Sequence, residues 1–239
     1  MLNSRELKIR AYLVHLFTAT GIIFAFLAAA ETCSARPDPR WVFSWLAIAV
    51  LIDVVDGPLA RRWEIKNWAL RISGRTIDDT VDYLTFTFIP LLLVWRMHWL
   101  APPGGLWVVL AMGTSLFGFA NTNAKQEQEG FFLGFPSYWN IYAYYAGILS
   151  AYDGAWVSTS GLLLLSILTV MPVRFVYPNR VRMPWRSVLL VGGIIWGGLL
   201  LSVLPWYPYI STALVWISLI YPVFYVILSI YLHLKSSFH

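Results

Sequence analysis

Eight stretches of the chain, at roughly 11–30, 41–60, 76–96, 104–120, 136–152, 156–173, 185–205 and 209–234, are apolar over lengths close to a membrane crossing. A helix needs about 20 such residues to pass a hydrocarbon core about 30 Å thick, so each run is a candidate span. The sequence therefore predicts an all-α integral membrane protein, a polytopic bundle of about eight transmembrane helices. The fourth to sixth runs are short, and a count of six or seven also fits. With 59% hydrophobic and only 12% charged residues, the chain lies outside the soluble range. The longest polar stretches, near 31–40, 61–75, 121–135 and 174–186, have loop length only. Residues 1–239 thus read as a single transmembrane domain without internal repeats.

Arg5, Lys8 and Arg10 precede the first run, as in a signal peptide. That run exceeds the about 7–15 apolar residues of a signal core, so it reads as a retained helix. Cys33 is the only cysteine and excludes an intramolecular disulfide. With eight spans, 14 Lys and Arg residues fall on one side, against Arg36, Arg40 and Arg96 on the other. The positive-inside rule then places both termini in the cytoplasm. The net charge of +5 reflects this bias and calls for no nucleic-acid partner.

Against this apolar background, five of the seven aspartates lie within one short window: Asp53, Asp56, Asp78, Asp79 and Asp82. A carboxylate at membrane depth is costly unless it faces protein, water or a cation. Asp53, Asp56, Gly57 and Ala60 stand at i, i+3, i+4 and i+7, one stripe of a helix, and Gly74, Asp78 and Asp82 form a second stripe on the next. A short loop joins the two helices, so the stripes meet at one depth near the cytoplasmic face. Four converging carboxylates repel one another unless a cation neutralises them, and hard oxygen donors suit Mg²⁺ or Mn²⁺.

Gly57, Ala60 and Gly74 leave room on the carboxylate face for a flat or phosphorylated group. Arg61 follows as a bidentate phosphate donor. Together these features describe a phosphate-handling site. The competing reading is a structural cluster, with the acids held by Arg61, Arg62 and Arg75 and the small residues serving helix packing. Asp79 lies off the stripe, either beside the site or paired with Arg75.

The pattern Asp53-x2-Asp56-Gly57-x2-Ala60-Arg61-x12-Gly74-x3-Asp78-x3-Asp82 resembles the signature of the CDP-alcohol phosphotransferase family. The long gap between Arg61 and Gly74 is similar to that of its bacterial phosphatidylcholine synthase branch. So are "HLFTATG" at 15–21, "FFLGFPSYWN" at 131–140 and "PVRFVYPNRVR" at 172–182. The resemblance implies transfer of the phosphatidyl group of CDP-diacylglycerol to choline, with release of CMP, at the cytoplasmic side of a bacterial inner membrane. It implies Asp53, Asp56 and Asp78 as ligands of Mn²⁺ or Mg²⁺, and Asp82 as a further ligand and the general base. Gly57 and Arg61 would contact the CDP-lipid, with Ala60 and Gly74 shaping the nucleotide pocket.

A quaternary ammonium is recognised by aromatic faces and negative charge. Tyr83, Tyr138, Trp139 and Tyr142 are the candidates for choline, with Glu127 and Glu129 as charge. A membrane-interface aromatic belt is the alternative account of the same residues. Asn140 either orients the acceptor hydroxyl or caps backbone. Arg174, Arg180 and Arg182 either hold lipid phosphate or set orientation, and His15 either touches the nucleotide or is structural. Inositol, serine or glycerol phosphate as acceptor, and in another class a cation-coupled transporter, are the rival functions. A transporter would place its acids near the midplane within paired repeats, which this chain lacks. Beyond membrane lipid, a homodimer partner is left open, as are the choice of metal and the acyl-chain preference.

Overall fold

The computed structural model describes residues 3–63, 68, 71–126, 128–152 and 154–236. Helices occupy all eight apolar regions. α1 (Ser4–Ala19) and α2 (Gly21–Thr32) form one run interrupted only at Thr20, and α3 (Pro39–Arg62) follows. α4 (Gly74–Asp82), a π-helical turn (Tyr83–Phe88) and α5 (Ile89–Arg96) make a third run. α6 (Gly104–Ala120), α7 (Trp139–Ser150), α8 (Ala155–Val170), α9 (Trp185–Val203) and α10 (Thr212–Ser236) complete the set. Among the described residues, four stretches are long and apolar enough to cross a bilayer: Ser4–Thr32, Pro39–Arg62, Trp185–Trp206 and Thr212–Lys235. Two shorter apolar helices, Gly104–Ala120 and Ala155–Val170, accompany them. The chain is a helical membrane protein.

Local chemistry fixes where the helices begin. Asn3 caps α1 by accepting from the Arg5 N–H, while Glu6 accepts from the Asn3 N–H at 2.8 Å, a reciprocal capping box. Asp38 caps α3 by accepting from the Arg40 N–H at 2.9 Å, and Pro39, whose missing N–H costs nothing there, is the first helical residue. Ser73 caps α4 by accepting from the Thr76 N–H at 3.2 Å.

The core lies where α2, α3, α5, α6, α7 and α8 converge. Trp139, Leu91, Leu93 and Leu162 are fully buried at its centre. Large apolar side chains such as Phe26, Phe117 and Ile194 point outward, as lipid solvation allows. α1 packs against both α3 and α4. Gly21, at the start of α2, accepts Val81 of α4 so closely that a Cβ would lie 2.7 Å from Val81 Cγ1. This contact seats α4 against α2.

Two features depart from a uniform bundle. The third run is broken by the π-helical turn directly after Asp82, and Pro90 falls on the second residue of α5, where the turn has already interrupted the regular ladder. Beside the helices, three short antiparallel strands, β1 (Lys125–Gln126), β2 (Phe131–Leu133) and β3 (Arg174–Val176), form a sheet in that order. Lys125 pairs with Phe132, and Phe132 with Phe175. Gly130 at φ +79° turns the chain between β1 and β2, and a Cβ there would lie 2.9 Å from the Val181 Cα. Tyr225 of α10 donates its hydroxyl to the Val176 carbonyl, and Ser229 accepts from the Val176 N–H, which fastens the sheet to α10.

Candidate active site

The carboxylate stripes of α3 and α4 do face each other. Asp53, Asp78 and Asp82 each offer a carboxylate oxygen, and all three oxygens lie within 4.8 Å of one another. Asp56 lines the same recess, largely buried and next to Thr18 of α1, but stands outside that group of three. The convergence of hard, anionic donors fits a divalent cation such as Mg²⁺ or Mn²⁺.

The small residues separate into two kinds. A Cβ on Gly57 would lie 3.3 Å from the Arg61 Nη1, so the guanidinium drapes over Gly57, next to Asp56 and one turn from Asp53. Gly74 instead receives the buried imidazole of His15, whose Nδ1 would lie 2.6 Å from a Cβ there. His15 thus packs α1 onto the start of α4. Ala60 lies with Leu59 and Trp63 against Ala11 and Val14 of α1, which makes it a helix-contact residue.

Sequence reasoning missed Lys125. From β1 it donates to Asp79 Oδ1 at 2.7 Å and stands 3.6 Å from Asp78 Oδ2. Arg75 also pairs with Asp79, at 3.5 Å. Burial alone would push the Lys125 ammonium toward deprotonation. The hydrogen bond to Asp79 and the charges of Asp78, Asp79 and Asp82 outweigh it and hold the ammonium protonated beyond the ordinary lysine range. Arg61 and Arg62 are the other cations whose sequence position suggests structural pairing with the acids. Among the described residues, neither forms an ion pair with an aspartate, and both are exposed. The signal that was available is that Lys125 is the only lysine between 66 and 235.

Of the aromatic candidates, Trp139 and Tyr142 meet edge-on with ring centroids 5.6 Å apart. Trp139 is fully buried in the helical core, donating its indole N–H to Ser115 at 2.6 Å and contacting Phe135 edge-on. Tyr142 donates its hydroxyl to the Ser158 carbonyl, and Tyr83 donates to the Met112 carbonyl while meeting Phe119 edge-on. Tyr138 is different. It is partly buried against the apolar cluster of Phe175, Val176 and Tyr225, flanked by the rings of Phe86, Phe135 and Tyr225 at 6.2, 6.2 and 6.3 Å. Asn140 accepts from the neighbouring Ile141 N–H, a backbone role. Glu127 lies outside the described residues. Glu129 pairs with Arg174 at 3.3 Å, Arg180 is partly buried and Arg182 is exposed.

No family model matches the chain. Curated relatives do. A phosphatidylcholine synthase of Pseudomonas aeruginosa is 36% identical over 200 residues, 81% of each chain. One of Bradyrhizobium diazoefficiens is 36% identical over 83% of this chain and 72% of its own. One of Legionella bozemanae is 34% identical over 80% of this chain and 91% of its own. Together with the spacing of the aspartates on α3 and α4, these likenesses place the chain in the CDP-alcohol phosphotransferase family, within its bacterial phosphatidylcholine synthase branch.

Proposed function

We propose that the chain transfers the phosphatidyl group of CDP-diacylglycerol to choline, giving phosphatidylcholine and CMP. The observation that carries this reading is the meeting of Asp53, Asp78 and Asp82 oxygens within 4.8 Å, from two helices whose spacing matches the family signature. Asp53, Asp78 and Asp82 would hold the metal, with Asp56 completing the recess. A divalent ion bound there supplies Lewis-acid neutralisation of the pyrophosphate.

The remaining work falls to side chains of this chain. Asp82, where α4 gives way to the π-helical turn, takes the proton from the choline hydroxyl as its oxygen bonds to the lipid phosphorus and the bond to the CMP oxygen breaks. Arg61, lying over Gly57, holds a donor phosphate through two N–H groups. Tyr138 and its neighbouring rings give the trimethylammonium an aromatic face. Eight spans with both termini cytoplasmic, in a bacterial inner membrane, would open this site to soluble choline and CMP while the acyl chains stay in lipid.

The test is incubation of the purified protein in detergent with CDP-diacylglycerol and Mn²⁺, and separately choline, inositol, serine or glycerol 3-phosphate. CMP release with phosphatidylcholine, in the choline tube alone, is the expected result. Release with another alcohol would move the acceptor and keep the chemistry. A folded protein that releases CMP with none of them would overturn the reading.

A further inference from the structure

Lys125 is the observation that the proposed chemistry does not use. Its side chain is only 23% exposed, and holding a lysine in one geometry costs side-chain entropy as well as desolvation. Two carboxylates on consecutive residues of α4 offset that cost: a 2.7 Å hydrogen bond to Asp79 and a 3.6 Å ion pair with Asp78. Their situations differ. Asp79 keeps Arg75 as a second cation, whereas Lys125 is the one cation within ion-pair distance of Asp78 among the described residues.

The backbone that carries Lys125 extends the consequence. β1 is an edge strand of two residues, too short to hold itself, and its partner β2 pairs with β3, which α10 fastens from the other side. Through its hydrogen bond to Asp79 and its ion pair with Asp78, Lys125 therefore ties this sheet to the carboxylate helix. Beyond β2 the chain runs directly into Phe135 and Tyr138, so the hairpin also sets where the aromatic group stands.

We propose that Lys125 is a positioning residue: it clamps the β1–β2 hairpin onto α4 through Asp79 and serves as the counter-ion of Asp78, which it yields when a divalent cation is bound. The proposal rests on the reading of the aspartates as a metal cradle. Its tests do not depend on turnover or on the acceptor, so it fails separately from the proposed activity.

The variants are Lys125→Met, close in shape but uncharged, Lys125→Arg, which keeps the charge, and Asp79→Asn, which weakens the anchor. Each is purified as the full chain in detergent and checked for monodispersity by size exclusion. Mn²⁺ affinity is read by electron paramagnetic resonance titration, and opening of the hairpin by hydrogen exchange over residues 121–134. Removing the competing cation should tighten Mn²⁺ binding by Lys125→Met about tenfold. Exchange in the hairpin should quicken about tenfold in both Lys125→Met and Asp79→Asn. Lys125→Arg should restore both quantities toward wild type. Unchanged or weaker Mn²⁺ binding by folded Lys125→Met overturns the counter-ion role. Unchanged exchange in Asp79→Asn overturns the clamp even if Lys125→Met does not fold.

Discussion

The imidazole of His15 occupies the space above Gly74, with Nδ1 2.6 Å from where a Cβ would sit. The contact joins the first helix to the first residue of α4 and so sets the depth at which Asp78 and Asp82 stand. Gly74→Ala forces the ring or the helix to shift, and overpacking of this kind costs about 1–3 kcal/mol. Thermal unfolding in detergent should show that loss, and His15→Ala in the same chain should recover part of it. Equal stability of Gly74→Ala and wild type would mean that His15 swings away freely.

Asp82 ends α4, and the π-helical turn begins at the next residue. In the proposed reaction it accepts the proton of the attacking hydroxyl, a step that an amide cannot take. Asp82→Asn should retain CDP-diacylglycerol binding while turnover falls by about 10²–10⁴. Turnover near wild type at saturating substrate would remove Asp82 as the base.

Tyr138 and Trp139 are consecutive in sequence and differ in burial, the first partly and the second fully enclosed. Tyr138→Leu removes an aromatic face, so the choline KM should rise about tenfold while the KM for CDP-diacylglycerol stays within twofold. Trp139→Ala deletes a fully buried ring and leaves the Ser115 hydroxyl without its donor. It should lower stability by about 3–5 kcal/mol and affect both substrates together. A selective rise in choline KM from Trp139→Ala alone would reverse these assignments.

How far the sequence could be read follows from these residues. The apolar runs and the i, i+4 spacing of Asp78 and Asp82 are local patterns, and they located the helices and brought the two stripes together. Asp56 shows the limit. Its spacing places it on the stripe with Asp53, yet it stands outside the close trio, beside Thr18, because relative helix rotation is a matter of packing. Ala60 and Gly74 read from their spacing as pocket residues, with helix packing as the alternative, and their neighbours Val14 and His15 show the helix contacts they make. The sheet escaped notice because strands of two and three residues carry no period, and Lys125 because its partner lies 46 residues away. Trp139 could not be told from an interfacial aromatic, since burial is a property of the assembled bundle.

Three carboxylates within 4.8 Å, with Lys125 reaching only their Asp78 side, need further positive charge when a pyrophosphate approaches. Chelation with EDTA should therefore abolish CMP release, and added Mn²⁺ or Mg²⁺ should restore it. The same ions should stabilise the fold, because a ligand that binds only the folded chain contributes about 2.7 kcal/mol at a hundredfold excess over its Kd. Unfolding followed by tryptophan fluorescence, with and without Mn²⁺, reads this without any turnover. Asp53→Asn and Asp78→Asn should each remove most of the shift. Full activity after exhaustive chelation, with no effect of Mn²⁺ on unfolding, would return the aspartates to a purely structural role.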